Sequence, residues 1–271
     1  MFGPLGGFAD WVLNTRWPLG EWLGGLVGVA VHSRLGHMSF LMGEARLTGW
    51  WYYFPLGIAL KTPLTFLLLL AIGTVALGRK QKDLFRTLPL LFGAGILISC
   101  LTSGINIGIR HIIPIYSMAA IIAAEGVWKL ERIPRLGRLV ATLVIIGLVG
   151  ESAWAHPDYV AYFNPMAGKH PERILVNSDL DGGQDLHRLT VRLKQLGVTS
   201  LSIAYFGTAD LERIGLPPFV QLAPQQRASG WVAVSAFNLM QQCAAQGDYC
   251  WLNQETPVER VGRSIFLFHF P

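Results

Sequence analysis

The sequence predicts an α-helical multi-pass membrane region of about four transmembrane helices, followed by a small external α/β domain. Uncharged stretches alternate with clusters of Lys and Arg. Residues 55–77 are apolar except for Lys61, and residues 88–109 carry no charge. Residues 112–128 and 139–155 are also apolar, with one Glu each. Each stretch approaches the roughly 20 residues that a helix needs to cross a bilayer. Arg79, Lys80, Lys82 and Arg86 separate the first two stretches, and Lys129, Arg132, Arg135 and Arg138 separate the last two. Loops rich in Lys and Arg stay in the cytoplasm. With both loops inside, residues 1–54, the tight loop 106–111 and the whole tail 156–271 fall outside. The expected organisation is an external segment 1–54 with an interfacial helix, a transmembrane region 55–155, and an external α/β domain 156–271.

Composition agrees with that reading. The chain of 271 residues is 52% hydrophobic and only 14% charged, where soluble domains carry about 25% charged residues. The formal net charge of +5 does not point to nucleic acid. The two basic loops hold eight basic and two acidic residues, whereas the tail holds nine basic and ten acidic. The positive surplus therefore follows topology and is not a polyanion-binding face. Met1 is not followed by a basic segment and an apolar core of the secretory kind. The expectation drawn from this is that sequence is missing upstream.

Three cysteines are present. Cys100 falls in an apolar stretch and suits a small packing role. Cys243 and Cys250 lie in the external tail with six residues between them. Oxidising surroundings there allow a disulfide, and two free thiols are the alternative.

Along the chain, residues 18–33 form a short Gly-rich apolar run, read as an interfacial or re-entrant helix. Trp50-Trp51-Tyr52-Tyr53-Phe54 follows at the mouth of the first membrane stretch, where amphipathic rings suit the headgroup layer. In the tail, residues 173–177 read as a short strand. Residues 185–196 read as an amphipathic helix with Leu186, Leu189, Leu193 and Leu196 on one face, ended by Gly197. Residues 201–206, 231–237 and 264–270 read as strands, and 210–214 as a helical turn. Strand, helix and strand in that order suggest a partly parallel sheet.

Polar groups gather at the external edge of the membrane region: His37, Glu44, Arg46, Lys61, Asn106, Arg110 and His111. Lys61 stands about two helical turns below the mouth of its stretch. A cation at that depth costs a few kcal/mol unless it reaches water or an anion. Lys61, Arg110 and His111 are therefore candidates for binding a lipid phosphate, against the plainer reading that Lys61 snorkels and Arg110 anchors a helix end. The tail loop with Asp179, Asp181, Gln184 and Asp185 contains an Asp-x-Asp triplet of the kind that holds a metal and a nucleotide sugar. Helix capping is the plainer reading there, since side-chain oxygens accept the free N–H groups of a helix start. The acidic surroundings also disfavour phosphate at that helix start. No His, Cys or Glu pairs stand at zinc spacing, and neither a Walker loop nor a Gly-x-Ser-x-Gly is present. No metal and no cofactor are expected.

Several segments together resemble one bacterial family. They are Gly36-His37-Met38-Ser39-Phe40-Leu41-Met42-Gly43-Glu44, residues 49–55 running on to Leu60-Lys61-Thr62-Pro63-Leu64, and Asn106-Ile107-Gly108-Ile109-Arg110-His111-Ile112-Ile113-Pro114. In the tail they are His156-Pro157-Asp158-Tyr159-Val160-Ala161-Tyr162-Phe163-Asn164, residues 178–186, Ala204-Tyr205-Phe206-Gly207-Thr208-Ala209-Asp210, and Gly230-Trp231-Val232-Ala233-Val234-Ser235. In this order they resemble the C-terminal half of multi-pass glycosyltransferases of the GT-C fold that use a polyprenyl-phosphate sugar donor, relatives of the protein O-mannosyltransferases and the lipid A aminoarabinose transferase. The resemblance implies a bacterial inner-membrane location, a periplasmic α/β domain, and sugar transfer from the lipid carrier to an acceptor on the periplasmic side. It implies lipid-phosphate binding at Lys61, Arg110 and His111, and a donor or acceptor pocket near His37, Glu44, Tyr52 and Tyr53. It also implies a catalytic Asp in an early external loop that nothing here matches, so this chain is expected to be inactive alone and to act with a separate N-terminal half. Where the family has Trp in the tail loop, this chain has Gly182. The competing expectation is a non-catalytic membrane protein that displays an external α/β binding or assembly domain.

Overall fold

The computed structural model describes Gly7, Trp11, residues 20–78 and residues 84–271. It is a mixed α/β protein, with a helical region preceding a five-stranded sheet. Most of the first basic cluster (Arg79, Lys80 and Lys82) and the start of the expected external segment lie outside the described residues.

Helix α1 spans Gly20–Leu35. Its apolar residues are spread around the axis, with no single apolar face. A two-residue turn, Met42-Gly43, with positive φ at both positions as such hairpins require, joins β1 (Ser39–Leu41) to β2 (Glu44–Arg46).

The first apolar stretch is not one helix. Helix α2 (Tyr53–Lys61) ends, and α3 (Leu64–Gly78) departs at 117°. The cause is Pro63, which has no N–H to continue the ladder and pushes the preceding residue out of helical geometry. Thr62 is accordingly extended, with φ −102° and ψ 138°. Helices α4 (Leu84–Leu101), α5 (Ile113–Glu131) and α6 (Gly137–Ala155) follow. Among the described residues, two helical stretches (Ile109–Glu131 and Gly137–Ala155) are long and apolar enough to cross a membrane, or three if the bent α2–α3 pair is one span. Of the expected four, Pro63 breaks the first, and the second is the shorter apolar helix Phe85–Leu101, below the length of the other two.

Helices α3 and α5 pack backbone to backbone. A Cβ on Gly73 would lie 1.9 Å from the Ile122 carbonyl oxygen, and one on Gly126 2.2 Å from that of Leu69. Small residues allow such an approach between apolar helices. Both helices start beside the tail and run away from it, while α4 and α6 return. Thr65 near the start of α3 hydrogen-bonds Glu151 near the end of α6 at 3.1 Å, which fixes that antiparallel pairing. The end of α3, the start of α4 and the turn between α5 and α6 therefore lie at the end of the helices opposite the tail.

In the tail, helix α7 (Leu186–Gln195) buries Leu186, Leu189 and Leu193, and Gly197 follows it at φ 65°. The sheet has the order β4-β3-β5-β7-β6. Strands β3 (Leu201–Ala204), β4 (Phe219–Gln221) and β5 (Gly230–Ser235) are parallel. Strands β6 (Glu259–Val261) and β7 (Ile265–Phe270) complete it antiparallel. Alternating side chains feed two cores, with Ile203, Ala233 and Leu267 facing α7 and Ala204, Val232, Val234, Phe266 and Phe268 facing the other way. Residues 173–177 are not a strand. Short 3-10 turns, Pro171–Arg173 and Asn177–Asp179, replace it. Their apolar neighbours Leu175 and Val176 fill separate cores where the tail meets the helices. Burial, not pairing, explains their composition. Residues 210–214 form a hydrogen-bonded turn and no helix. Cys243 and Cys250 form a disulfide, and Cys100 is free.

The break at Pro63 exposes carbonyls at the end of α2, and Asn164 satisfies them. Its Nδ2 donates to Ala59 O at 2.6 Å and Thr62 O at 2.7 Å, and its backbone N–H to Leu60 O at 2.8 Å. Leaving buried carbonyls unpaired costs about 1–3 kcal/mol each. We expect Asn164→Ala to destabilise the protein by about 2–4 kcal/mol, read as a lower melting temperature in detergent. An unchanged melting temperature would mean that Asn164 does not hold the bend.

Candidate functional site

The sequence candidates separate into a buried joint and an exposed basic turn. Asp179 is the centre of the joint. Its 3-10 turn is wedged between the helices and the sheet, and it is 2% exposed. Oδ2 accepts from the Tyr53 hydroxyl at 2.9 Å, and Oδ1 from the Ile109 N–H at 2.9 Å. The Asp179 carbonyl accepts from the Lys61 ammonium. Lys61 also donates to Val160 O at 2.6 Å and lies 4.3 Å from the centre of the Phe163 ring. Lys61 is thus directed into the protein and neither snorkels nor faces lipid. The bend at Pro63 accounts for this, because it ends α2 with Lys61 facing residues 160–179.

Gly108, at φ 129°, lets the 106–111 loop lie against this turn. A Cβ there would come within 2.3 Å of Ser178 Oγ, which donates to the Ile107 carbonyl. Asn106 is buried in the same loop. Its Oδ1 accepts from Trp50 N at 2.6 Å, and its Nδ2 has no hydrogen-bond partner among the described residues.

Arg110 and His111 are exposed on the 3-10 turn Ile109–Ile112 that leads into α5. Arg110, His37 and Asp179 all lie within electrostatic reach of His111. Glu44 is held within the hairpin by Arg46, at 2.5 Å. Of the aromatic run, Trp50, Tyr53 and Phe54 are buried in a core with Leu41, Ile112 and Leu175, while Trp51 is exposed and Tyr52 half-buried. Only part of the run is therefore available as an aromatic belt.

The acidic tail loop is structural. Asp181 accepts from Phe237 N at 3.0 Å and Gly183 N at 3.2 Å. Asp185 occupies the N-cap position of α7 without capping it. It reaches across to the β6–β7 turn and accepts from Arg263 N, Ser264 N and Ser264 Oγ at 2.7–2.9 Å, and from Arg188 at 2.7 Å. Gly262 makes room for it. Gln184 bridges its own loop through Leu180 O and Gly182 N. The capping reading of Asp185 thus gives way to a tie between distant segments, and the Asp-x-Asp oxygens are occupied by protein donors. Among the described residues, no cluster of His, Cys, Asp and Glu is arranged to hold a metal.

Outside the sequence candidates, an apolar groove of about 390 Å³ lies between α3, α4 and α5. At one end stand Pro55, Ile58 and the Thr62–Tyr116 hydroxyl pair, 2.9 Å apart, and at the other Thr74, Pro89 and Ile122. Composition hides this feature, because groove-lining and lipid-facing residues are equally apolar. Gly93 is its readable sign, since a Cβ there would meet nothing closer than 3.9 Å.

Compared with protein families, with curated proteins and with solved structures, the chain matches none.

Burial raises the Asp181 carboxyl to about 6, against hydrogen bonds that lower it. The folded state therefore holds this proton more tightly than the unfolded chain, in which Asp titrates near about 3.9. The resulting stability is complete below about pH 4 and is lost as pH rises through about 6. We expect Asp181→Asn to flatten the fall in tail-domain stability between these values, a change of order 1–3 kcal/mol. Parallel pH profiles of variant and parent would assign the slope to another group.

Proposed function

We propose that this chain forms the donor-lipid side of a membrane glycosyltransferase that takes its sugar from a polyprenyl-phosphate carrier. The apolar groove carries the reading. It runs along α5 from Tyr116 to Ile122, and Arg110 and His111 stand at the N-terminal end of the same helix. An apolar channel with cations at one end suits an amphiphile with a long hydrocarbon chain and an anionic head. The planar guanidinium of Arg110 offers paired donors to phosphate oxygens. Lys61 acts differently, holding α2 and Asp179 in place. No general base is assigned to this chain. The acceptor and any separate N-terminal half belong to the resemblance alone.

In this reading the protein sits in a bacterial inner membrane and crosses it four times, with α2–α3 as one broken pass. The basic loops face the cytoplasm, and the α/β domain faces the periplasm. The helix directions support this, since the α3 and α4 ends that flank the first basic loop, and the second basic loop itself, lie away from the α/β domain, and Lys- and Arg-rich loops stay inside.

Two experiments test the proposal. Purified protein should bind a fluorescent polyprenyl phosphate. Arg110→Ala should weaken binding roughly ten- to hundredfold, the loss of one charge-assisted contact of about 1.5–3 kcal/mol. Gly93→Leu, which fills the groove where space is open, should weaken it comparably. Equal binding by both variants and the parent would reject the groove as the lipid site. For topology, Lys82→Cys should resist a membrane-impermeant thiol reagent in intact cells, and Gln226→Cys should react. The opposite labelling would invert the orientation.

A further inference from the structure

A second cavity, of about 510 Å³, lies in the α/β domain, well within the 300–1,000 Å³ typical of small-molecule sites. Its position follows from the sheet. Ala204 and Tyr205 stand at the carboxyl end of β3, Gln221 and Leu222 at that of β4, and Asn238 just beyond that of β5. All three parallel strands thus point into it.

The chain leaves the two central strands in opposite directions. After β3 it packs Leu211, Ile214 and Leu216 against the face that carries α7. After β5 it packs Phe237, Leu239, Tyr249 and Leu252 against the other face. Strands β3 and β5 are neighbours, so their connections part and leave a crevice between them. In open sheets with parallel strands, such a reversal is where ligands bind. The cavity draws Tyr205, Asp210 and Glu212 from one connection and Asn238 and Tyr249 from the other.

A second observation is independent of topology. Asn238 is only 9% exposed, lines the cavity, and makes no side-chain hydrogen bond among the described residues. Its amide is not sealed from solvent, so it stays open to a partner in the cavity. Gln221 and Glu212 line the same cavity with exposed polar ends.

The lining also selects the chemistry. No Lys or Arg lines the cavity, and two carboxylates do, which disfavours phosphate and nucleotide. Asp210 is already paired with Arg213 at 3.1 Å, and two carboxylates without a third ligand make a poor cation cage. Amides, which both accept and donate, and carboxylates, which accept with two oxygens, suit vicinal hydroxyls, and Tyr205 and Tyr249 add aromatic rings to the lining.

We propose that the crevice at the carboxyl ends of β3, β4 and β5 binds a neutral saccharide, held by Asn238, Gln221 and Glu212. The site stands apart from the groove between the membrane helices and rests on no reading of it.

The test uses the full chain in lauryldimethylamine oxide, because alkyl-glycoside detergents would present the ligand class itself. Saturation-transfer NMR is run with D-glucose, D-mannose, N-acetyl-D-glucosamine and maltose. At least one should receive saturation and titrate to a plateau. Gln221→Ala and Glu212→Gln, both at exposed positions that leave the fold intact, should each weaken that saccharide roughly three- to tenfold. Asn238→Ala should weaken it at least as much. Transfer to none of the four sugars overturns the proposal, as does binding that all three variants leave unchanged. Competition by inorganic phosphate or by Mg²⁺ at equal concentration also overturns it, because the crevice would then recognise charge.

Discussion

The carboxylate of Asp179 is where three separate parts of the chain are held against one another. It accepts from Tyr53 on α2 and from the backbone before α5, and its own carbonyl receives Lys61. A buried carboxylate costs several kcal/mol unless it is paired and hydrogen-bonded. The two carboxylate donors thus satisfy Asp179 and join it to two different segments, and Lys61 adds a second tie from α2 to its backbone carbonyl. The bend at Pro63 turns Lys61 toward Asp179, and Gly108 lets the backbone of the next loop approach it. Asn164 completes the bend from the tail side. The α/β domain is therefore docked on the helices by polar contacts in a protected setting, and not simply tethered to them.

The joint divides the labour among the basic groups. Lys61 is absorbed into the interior, while Arg110 and His111 remain exposed on the 3-10 turn that leads into α5. The hairpin β1–β2 adds a second clasp, with Met42 N bonded to Ile174 O and Gln241 bonded to Met38 O. Phe40 enters the core of the sheet, and Leu41 enters the core between helices and tail. Two adjacent residues of one strand thus reach two apolar clusters.

Much of this was legible in the sequence wherever local pattern and tertiary environment agree. The period of Leu186, Leu189 and Leu193 marks α7, and Gly197 marks its end. The apolar stretches mark the helices. The errors arise where one residue overrides a composition window. Pro63 splits a stretch that averages as a single span. Residues 173–177 look like a strand because Leu175 and Val176 are buried, yet they have no neighbouring strand to pair with. Strands β4 and β6 are three residues each and leave no periodic trace. At the site, Lys61 and the acidic loop stood out as ionisable groups in unusual places, but type and position do not disclose their partners. Asn164, whose role depends on a bend 100 residues upstream in the sequence, carries no signal of its own.

The close approach of Gly73 and Gly126 has a mechanical consequence. With their backbones in contact, α3 and α5 behave as a single rigid wall, because neither can shift without driving a carbonyl into its neighbour. The third side of the groove is α4. It contains Pro89, which deletes one rung of its hydrogen-bond ladder at a lining position. Its Gly93 and Gly95 leave gaps where other helices interlock. Any change in the width of the groove must therefore come from a tilt of α4 about Pro89, as a panel swings against a fixed frame.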